Sequence, residues 1–509
     1  MDNFNLIDSP WIPVRWHHTA SGDTASLVSL HEAFDRGTDI ADLDCAPHER
    51  IALTRLLVCI THAALGAPED ADEWDGFGKD FATAICAYLR KPEIYPHFNL
   101  LGDGPRFLQE AVPKTSKAVS CSKLFLNLAT GNNPTLLDHS GTHSERSFYA
   151  HSVALALLTF QNFYPLYGAG FKGRGPCSDG NSIHTLLYSE TLKNTILSNL
   201  IDKETVDRFL PRGFGKPIWE CNTSEELSES TLTYLGRLVP RHRSLKLTDD
   251  ITKFLHHNVS LQYQGWEPYR EPSSTVILNK KEKRKLLPAK LDRAIWRDLH
   301  SITAFEIGIG VSKQRSDAAP ILISHSIRLA NQSVNIWTGG LVTDLKAKIF
   351  DVVESTFTLP RKMLLESGRH TYLAGINYAE TISQKLYGAI KRYWSTLKHE
   401  TAPVGEGQKH YWHRLDQEHL TLIRLASDPE SFIGKPAIGT TEAKDPWTEL
   451  IRKAALNAFG QVCPRTTPRQ YQAYANGIKP LFGALYPKDK ENKRSRKTSK
   501  ETTQVEMSR

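Results

Sequence analysis

The chain has 509 residues, a formal net charge of +7 and an isoelectric point near 8.8, with 40% hydrophobic and 23% charged residues. This length exceeds what one hydrophobic core supports and predicts two or three domains at about 150 residues each. The sequence lacks the run of about 18 apolar residues that a membrane span needs, and its start has neither a basic leader nor an apolar segment. We therefore expect no membrane span, no signal peptide and a cytoplasmic protein.

The first half of the chain predicts a mixture of strands and helices. Short, proline-limited strands are expected at 4–8 and 11–14, and a capped helix begins near Ser29. Apolar residues at helical spacing predict helices over 47–64 and 71–89. Further along, 182–199 predicts a strand followed by a helix. Short strands are predicted at 234–240, 243–247, 260–263 and 274–278.

From residue 319 onward, the apolar residues recur at the spacing of a helix. The pattern predicts helices over 320–336, 339–356, 369–396, 409–427, 446–460 and 467–485. The predicted fold class is therefore α+β, with a mixed α/β N-terminal domain over 1–335 and an all-α four-helix bundle over 336–486. The remaining residues, 487–509, are rich in Lys, Arg, Ser and Thr and predict a disordered basic tail.

The stretch QNFYPLYGAGFKGRG, residues 161–175, combines glycines with two cations. Gly168, Ala169 and Gly170 leave the backbone bare, and Lys172 and Arg174 add charge that suits an anionic ligand. The segment is no dinucleotide fingerprint, because the residues after Gly173 would break the helix that such a site requires. A glycine-rich turn without a ligand remains the alternative.

Two basic runs have a sign that suits an anionic partner. The first comprises Lys280, Lys281, Lys283, Arg284 and Lys285, and the second is the tail, where eight Lys and Arg face four Asp and Glu. Such runs are commonly solvated faces. As binding surfaces they favour nucleic acid over membrane, since no amphipathic anchor accompanies them.

Metal chemistry has weak support in the sequence. His139 and His143 have the i,i+4 spacing of helical metal ligands, but 140–142 is a poor helix and no third ligand is fixed by spacing. The seven cysteines are scattered and contain no C-x-x-C pair, which argues against a disulfide framework and a zinc ribbon. We expect no cofactor, and a metal-dependent nuclease using the His139 and His143 region stays as an alternative function.

Several segments, taken in order, resemble one known family over nearly the whole chain to about Tyr486. They are the opening FNLIDSPWIPV, the glycine stretch preceded by Tyr164-Pro165, Gly236-Arg237-Leu238, Gly265-Trp266-x-Pro268 and the helical closing domain. Together they are similar to the CasA family, the large subunits of type I-E CRISPR surveillance complexes called Cascade. The resemblance implies a non-enzymatic protein that reads the protospacer-adjacent motif on duplex DNA, starts strand separation and R-loop formation, and helps recruit a helicase-nuclease. Its partners would be the guide RNA, the other Cascade subunits and the target DNA.

The resemblance also implies roles for individual segments. Phe125, Leu126 and Asn127 match a loop that contacts the guide RNA end and the DNA, and Gly168-Ala169-Gly170 matches a loop that lies in the minor groove of the motif. Asn331 and Gln332 match a wedge that parts the first base pair. A protein that contacts the minor groove with bare backbone would accept more than one motif sequence. Pairing with the guide RNA would supply the remaining sequence specificity.

This chain departs from the family pattern in two places. Some members have a minor-groove lysine shortly before the Gly-x-Trp segment, where this chain has His256-His257-Asn258. The paired cysteines that some members carry after the counterpart of 243–247 are absent, so the resemblance implies no zinc. A nucleic-acid-binding scaffold without motif reading is the second alternative.

Overall fold

A computed structural model describes residues 4–17, 25–70, 73, 77–111, 116–128, 146–163, 175–210, 212–259, 261–278, 281, 283–304, 318–329, 333–343, 349–432 and 435–487. The chain divides into two compact units, Met1–Thr358 and Leu359–Arg509. The first unit mixes helices with small sheets, and the described part of the second is helical after its first residues. The predicted α+β class is confirmed, although the division falls later than the predicted 335/336 boundary.

Ten described helices belong to the first unit. They are α1 Leu30–Asp35, α2 Pro47–Leu65, α3 Phe81–Leu89, α4 Ala150–Phe163, α5 Leu192–Ser198, α6 Lys203–Phe209, α7 Ser224–Ser230, α8 Tyr234–Leu238, α9 Leu299–Ile302 and α10 Ile321–Leu329. α2 is buried along most of its length and packs against α3, α4 and α8, so it forms the centre of the core. A helix that is apolar on nearly all sides takes such a central position.

The described strands form four small antiparallel sheets. They are β1 Ile12–Trp16, β2 Ala25–Val28, β3 Ile40–Leu43, β4 Lys117–Ser120, β5 His184–Leu187, β6 Arg243–Leu247, β7 Lys253–Val259, β8 Val276–Leu278, β9 Arg284–Leu286, β10 Ser333–Thr343 and β11 Ile349–Pro360. The strand orders are β2-β1-β3, β11-β10-β5, β4-β7-β6 and β8-β9. Each sheet is too small to form a core alone, so the sheets depend on the surrounding helices.

The described part of the second unit contains six helices. They are α11 Arg361–Leu364, α12 Glu366–Thr396, α13 Val404–Gln417, α14 Leu420–Ser427, α15 Pro446–Val462 and α16 Pro468–Leu485. The 31-residue α12 packs against α13, α14, α15 and α16. Trp447 on α15 donates its indole N–H to the carbonyl of Gly375 on α12 at 3.1 Å, which satisfies a buried polar group inside the apolar contact. No described helix of either unit is long and apolar enough to cross a membrane.

Several predicted elements are confirmed. Ser29 caps α1, where its hydroxyl accepts the Glu32 N–H at 3.1 Å, and α2 covers the helix predicted at 47–64. The strand and helix predicted within 182–199 are β5 and α5, and the strand predicted at 243–247 is β6. The predicted helices within 369–396, 446–460 and 467–485 correspond to α12, α15 and α16.

Other predicted elements are wrong. The strand expected at 4–8 is a turn with one isolated bridge from Asn5 to Asn99, and 234–240 contains the helix α8. The described residues of the strand expected at 260–263, which are 261–263, form no strand. The preceding strand, β7, ends at Val259. The largest error concerns the helix predicted at 339–356, because its described residues, 339–343 and 349–356, belong to the strands β10 and β11.

Candidate functional site

The glycine-rich segment 164–174, including Gly168, Ala169, Gly170, Lys172 and Arg174, lies outside the described residues, but both of its flanks are described. On the N-terminal side, α4 ends at Phe163. Gln161 in its last turn is fully buried and forms three hydrogen bonds. Its amide donates to the carbonyls of Leu108 at 3.1 Å and Arg243 at 3.0 Å, and its carbonyl oxygen accepts the Arg243 N–H at 2.8 Å. The last turn of α4, which precedes the segment, is therefore held in place by these hydrogen bonds.

The C-terminal flank lies directly beside that point. Gly175 packs so closely on α4 that a Cβ atom there would lie 2.2 Å from the carbonyl oxygen of Asn162. Two residues later, the Cys177 thiol donates to the Asn162 side-chain carbonyl at 3.5 Å. Any side chain at Gly175 would push the two flanks apart. The described residues on either side of 164–174, Phe163 and Gly175, therefore lie next to each other.

A buried ionic cluster lies under this part of the first unit. Glu271 accepts from the Arg55 guanidinium at 2.8 Å and from two nitrogens of Arg237 at 2.8 and 2.7 Å. Burial alone would raise the pKa of Glu271, but the charges and hydrogen bonds of the two arginines outweigh it and hold that pKa below its usual value. The Arg237 guanidinium also stacks on the ring of Tyr269, with 4.1 Å from Cζ to the ring centroid. The cluster is a buried ionic triad of one carboxylate and two guanidinium groups. Removing these charges from water is costly, and the hydrogen bonds among them offset that cost.

Two of the sequence motifs meet around this cluster. Gly236 permits the tight turn of α8, because a Cβ there would lie 2.2 Å from the Ser230 carbonyl oxygen. Next to it, Arg237 donates to the carbonyl of Gln264 at 3.1 Å, just before Gly265-Trp266. The Trp266 N–H in turn donates to Asp179 at 2.7 Å, within the 3₁₀ turn Pro176–Asn181 that follows the glycine loop. The two motifs are therefore connected to the described turn that follows the glycine-rich segment.

A group of cations lies on the sheet β4-β7-β6 beside the first flank. Lys117 on β4 is paired with His256 on β7, Arg243 begins β6, and Lys123 lies in the 3₁₀ turn Cys121–Leu124 that follows β4. Burial, together with the charges of Arg243 and Lys123, lowers the pKa of His256 to about 4. His256 is therefore uncharged at neutral pH.

The predicted guide-contact loop follows the same 3₁₀ turn. Phe125 is half-buried, and its ring stacks on Phe148 with centroids 4.5 Å apart and planes 19° apart. Leu126 is 9% exposed and belongs to the core, whereas Asn127 is exposed. One face of the Phe125 ring is thus covered by the Phe148 ring. Asn127 is the accessible member of the three.

Sequence reasoning missed an exposed aromatic residue nearby. Tyr149 is 77% exposed and its ring stacks on His151, with centroids 5.3 Å apart and planes 10° apart. The available signal in the sequence is the adjacent pair of aromatic residues, Phe148 and Tyr149, just before α4. Exposed aromatic faces bind unpaired bases in many nucleic-acid-binding proteins.

The predicted basic run corresponds to a hairpin. Lys280 lies outside the described residues, while Lys281, Lys283 and Arg284 are exposed and Lys285 is half-buried. Leu278 pairs with Arg284 and Val276 with Leu286, so Lys281 and Lys283 lie between the strands β8 and β9, and Arg284 and Lys285 lie on β9. The buried Val276 and Leu286 hold the hairpin, and the charges extend from it.

The predicted wedge residues Asn331 and Gln332 lie outside the described residues. They follow α10, which ends at Leu329, and precede β10, which begins at Ser333. An open cleft of about 380 Å³ adjoins these flanks. Its lining is uncharged and rich in hydroxyl and amide groups, contributed by Ser189, Asn194, Ser198, Ser326, Ser333 and Asn335.

The metal alternative gains no support from the described residues. His139 and His143 lie outside them, and within them no group of three or more His, Cys, Asp or Glu side chains could hold a metal ion. The described cysteines are all unpaired, and burial raises the pKa of Cys177 and Cys121 to about 12. These thiols are therefore protonated fillers of the core.

Comparison with known proteins gives consistent matches along the chain. The family model of CRISPR-associated protein Cse1 matches residues 5–458. The curated CRISPR-associated protein CasA/Cse1 of Thermus thermophilus is 26% identical over 511 residues, which cover 90% of this chain and 92% of that protein.

Solved structures of similar proteins share the fold. The structure of Thermus thermophilus CasA (Cse1) matches with a TM-score of 0.71 at 22% identity, covering 95% of this chain and 99% of that one. A chain of a structure described as a CRISPR RNA-guided surveillance complex matches with a TM-score of 0.72 at 17% identity, covering 94% and 99%. Cse1 of Acidimicrobium ferrooxidans has a TM-score of 0.69 at 16% identity, covering 95% and 98%.

Proposed function

Because the chain belongs to the CRISPR-associated protein Cse1 family, we propose that it is the large subunit of a type I-E CRISPR RNA-guided surveillance complex. In this role it binds the guide RNA and the other Cascade subunits in the cytoplasm. It recognises the protospacer-adjacent motif on double-stranded DNA, begins unwinding and R-loop formation, and helps recruit the helicase-nuclease that degrades the target. It does this by binding and positioning, without a catalytic residue or cofactor of its own.

One observation carries the motif-reading part of this proposal. The two flanks of the glycine loop are held side by side by Gln161, Asn162 and Gly175, on a support that includes the buried carboxylate of Glu271. A minor-groove reader must present bare backbone at a fixed position, since the groove is narrow and shows few distinguishing groups. A loop of glycines with anchored ends meets that requirement. Lys172 and Arg174 would contact the flanking phosphates.

The remaining predicted segments act around this loop. The wedge residues Asn331 and Gln332 enter the duplex where the first base pair opens. The loop Phe125-Leu126-Asn127 contacts the guide RNA end and the DNA, with the exposed Asn127 making the direct contact. The basic hairpin guides the flanking duplex or the displaced strand towards the complex by charge.

The test of motif reading replaces Gly168 or Gly170 with phenylalanine in the assembled complex. We expect the affinity for duplexes that carry the motif to fall at least about tenfold, because a bulky side chain prevents backbone approach to the groove. The motif is first identified by selecting bound duplexes from a library randomised beside the target with the wild-type complex. Affinities are then measured by filter binding on duplexes with and without that motif.

Ala169→Gly is the matched control, since it keeps the backbone bare and should bind as the wild type does. Complex assembly should be unchanged in all three variants. If the affinity for motif-free duplex falls equally, the loop contacts DNA of any sequence, as expected of a nucleic-acid-binding scaffold without motif reading. A wild-type complex that selects no motif would refute the proposed function itself.

Neutralising the basic hairpin tests its role separately. In the double variant Lys281→Gln, Lys283→Gln we expect the slope of log K against log salt to fall by up to about 0.9 per lysine, since each phosphate contact releases counterions. Motif preference should stay the same, because phosphate contacts carry no direct sequence information. Changed motif preference would contradict this role, and an unchanged slope would make the hairpin a solvated face.

A further inference from the structure

A tyrosine at the start of α4 has its ring stacked on a histidine ring. Tyr149 immediately precedes α4, and His151 lies in the first turn of that helix. The ring centroids are 5.3 Å apart and the ring planes are only 10° apart. Tyr149 is 77% exposed, whereas His151 is half-buried. The face of the tyrosine ring that points away from His151 is therefore open to solvent.

The backbone that carries this ring is held on both sides. The carbonyl of Tyr149 accepts the Val153 N–H at 3.1 Å, which joins Tyr149 to the first turn of α4. The preceding side chain, Phe148, stacks on Phe125 with centroids 4.5 Å apart. The helix α4 itself packs against α2 and against the 3₁₀ turn Cys121–Leu124. The exposed ring of Tyr149 thus extends from a fixed backbone.

The chemistry of this surface fits an unpaired nucleobase. Burial lowers the pKa of His151, so the imidazole behind the tyrosine is uncharged at neutral pH. An aromatic ring backed by a neutral ring offers a flat apolar face, and every nucleobase has a flat face that can stack on it. Because Tyr149 is already stacked on His151, its ring loses little further freedom when a base binds.

The size of the exposed surface favours a base over a protein partner. The neighbouring rings of Phe148 and Phe125 are half-buried and stack on each other, so the apolar surface beside Tyr149 is small. Binding sites for other proteins are typically marked by larger contiguous apolar patches. A single exposed ring matches the size of a single base.

We propose that Tyr149 is a base-stacking residue that binds one unpaired nucleotide in the assembled complex. This inference rests on the proposed function, which supplies two sources of unpaired bases, the guide RNA and the separated strands of the target DNA. His151 positions the tyrosine ring by stacking on its inner face. Since all four bases can stack, Tyr149 adds affinity with little preference for sequence.

The experiment is photo-crosslinking of the assembled complex with 5-iodouracil, which reacts with an aromatic ring that stacks on it. One arm places 5-iodouracil at single positions of the guide RNA, and two further arms place it in each strand of the target. We expect an adduct on Tyr149 in at least one arm, identified by mass spectrometry of the digested chain. Tyr149→Phe should keep the crosslink at that nucleotide, and Tyr149→Leu should abolish it. Tyr471→Leu, which removes a 59% exposed tyrosine from the second unit, is the matched control and should keep it.

Removal of the base tests whether the stack contributes to affinity. An abasic site at the crosslinked nucleotide should weaken binding about 5- to 140-fold, the range for loss of one base–aromatic stack. Tyr149→Leu should weaken binding of the intact nucleic acid by a similar factor and should have no further effect on the abasic one. The affinity is that of the complex for its target in the DNA arms. In the RNA arm it is that of the chain for the other subunits loaded with guide RNA.

Each contrary result has its own meaning. If the complex assembles and selects a motif but no arm gives an adduct on Tyr149, the stacking role is wrong and the proposed function stands. Equal weakening by Tyr149→Leu on intact and abasic nucleic acid would also overturn the stacking role, as would loss of a protein subunit from the purified variant complex. A wild-type complex that selects no motif would refute motif reading, whereas an adduct on Tyr149 in that complex would still support the stack.

Discussion

Glu271→Ala is expected to lower the free energy of unfolding by about 3–5 kcal/mol, because it leaves two buried guanidinium groups without their shared carboxylate. Arg55 is 3% exposed and Arg237 is 2% exposed, so water cannot replace the lost acceptor. Neither arginine can become neutral, since the guanidinium stays protonated in proteins. The measurement is urea unfolding of the purified chain followed by circular dichroism and by tryptophan fluorescence.

The matched control removes a carboxylate from the same stretch of chain. Glu267 is exposed, and Glu267→Ala should change the free energy of unfolding by no more than about 0.5 kcal/mol. If Glu271→Ala costs no more than Glu267→Ala, the cluster is not a major support of the first unit. The two units can unfold separately, so agreement between the two spectroscopic signals is needed before a single free energy is assigned.

The local signals in the sequence were sufficient for most of the helical second unit. The predicted helices over 446–460 and 467–485 are α15 and α16, and each begins at a cap: Asp445 before Pro446 and Thr467 before Pro468. Asp445 accepts the Thr448 N–H at 2.8 Å. Such caps depend only on neighbouring residues, which is why they can be predicted from sequence.

The helix predicted at 339–356 is wrong because the apolar residues of β10 and β11 also fit a helical period. The segment 349–360 is rich in Val, Ile, Thr and Phe, which favour strands, and β10 contains two adjacent glycines that disfavour a helix. Gly339 and Gly340 allow close approach, since a Cβ at Gly340 would lie 2.8 Å from the Ser182 carbonyl oxygen. Pairing with β5 decides the structure, and that strand lies far away in sequence.

The support of the candidate site could not be predicted from sequence for the same reason. Arg55 and Glu271 are 216 positions apart, and neither forms a motif with its neighbours. The family resemblance indicates Gly168, Gly170 and Gln332, but it does not indicate that His256 lies opposite Lys117, a placement that exists only because β4 pairs with β7. Cross-strand register is a tertiary property, and a sequence read alone contains little of it.

The position of Gln332 in the chain changes the argument for the wedge. The predicted helix over 320–336 ends at Leu329, and the next residues described begin the strand β10. Gln332 thus precedes a strand of the first unit, the unit that also carries the flanks of the glycine loop. The uncharged cleft of about 380 Å³ beside Ser333 has hydroxyl and amide groups that could bond an unpaired base edge.

Gln332→Ala is expected to slow R-loop formation on a linear duplex at least about tenfold. Opening the first base pair costs a few kcal/mol of stacking and pairing energy, and each 1.4 kcal/mol of lost compensation is a factor of ten in rate. A glutamine side chain is long, uncharged and able to hydrogen-bond, so it can occupy the gap until guide pairing compensates. The rate is followed by stopped-flow fluorescence of a base analogue near the motif.

The decisive comparison uses a target whose first protospacer pairs are already mismatched between its own strands. There the first pair is open before the complex binds, so Gln332→Ala should form the R-loop at nearly the wild-type rate. Thr356→Ala, at an exposed residue of the neighbouring strand β11 outside the cleft, controls for general disturbance of this sheet and should match the wild type on both targets. If Gln332→Ala slows R-loop formation equally on both targets, the side chain is a binding contact. A wedge that separates the first base pair would not affect the rate on a duplex in which that pair is already open.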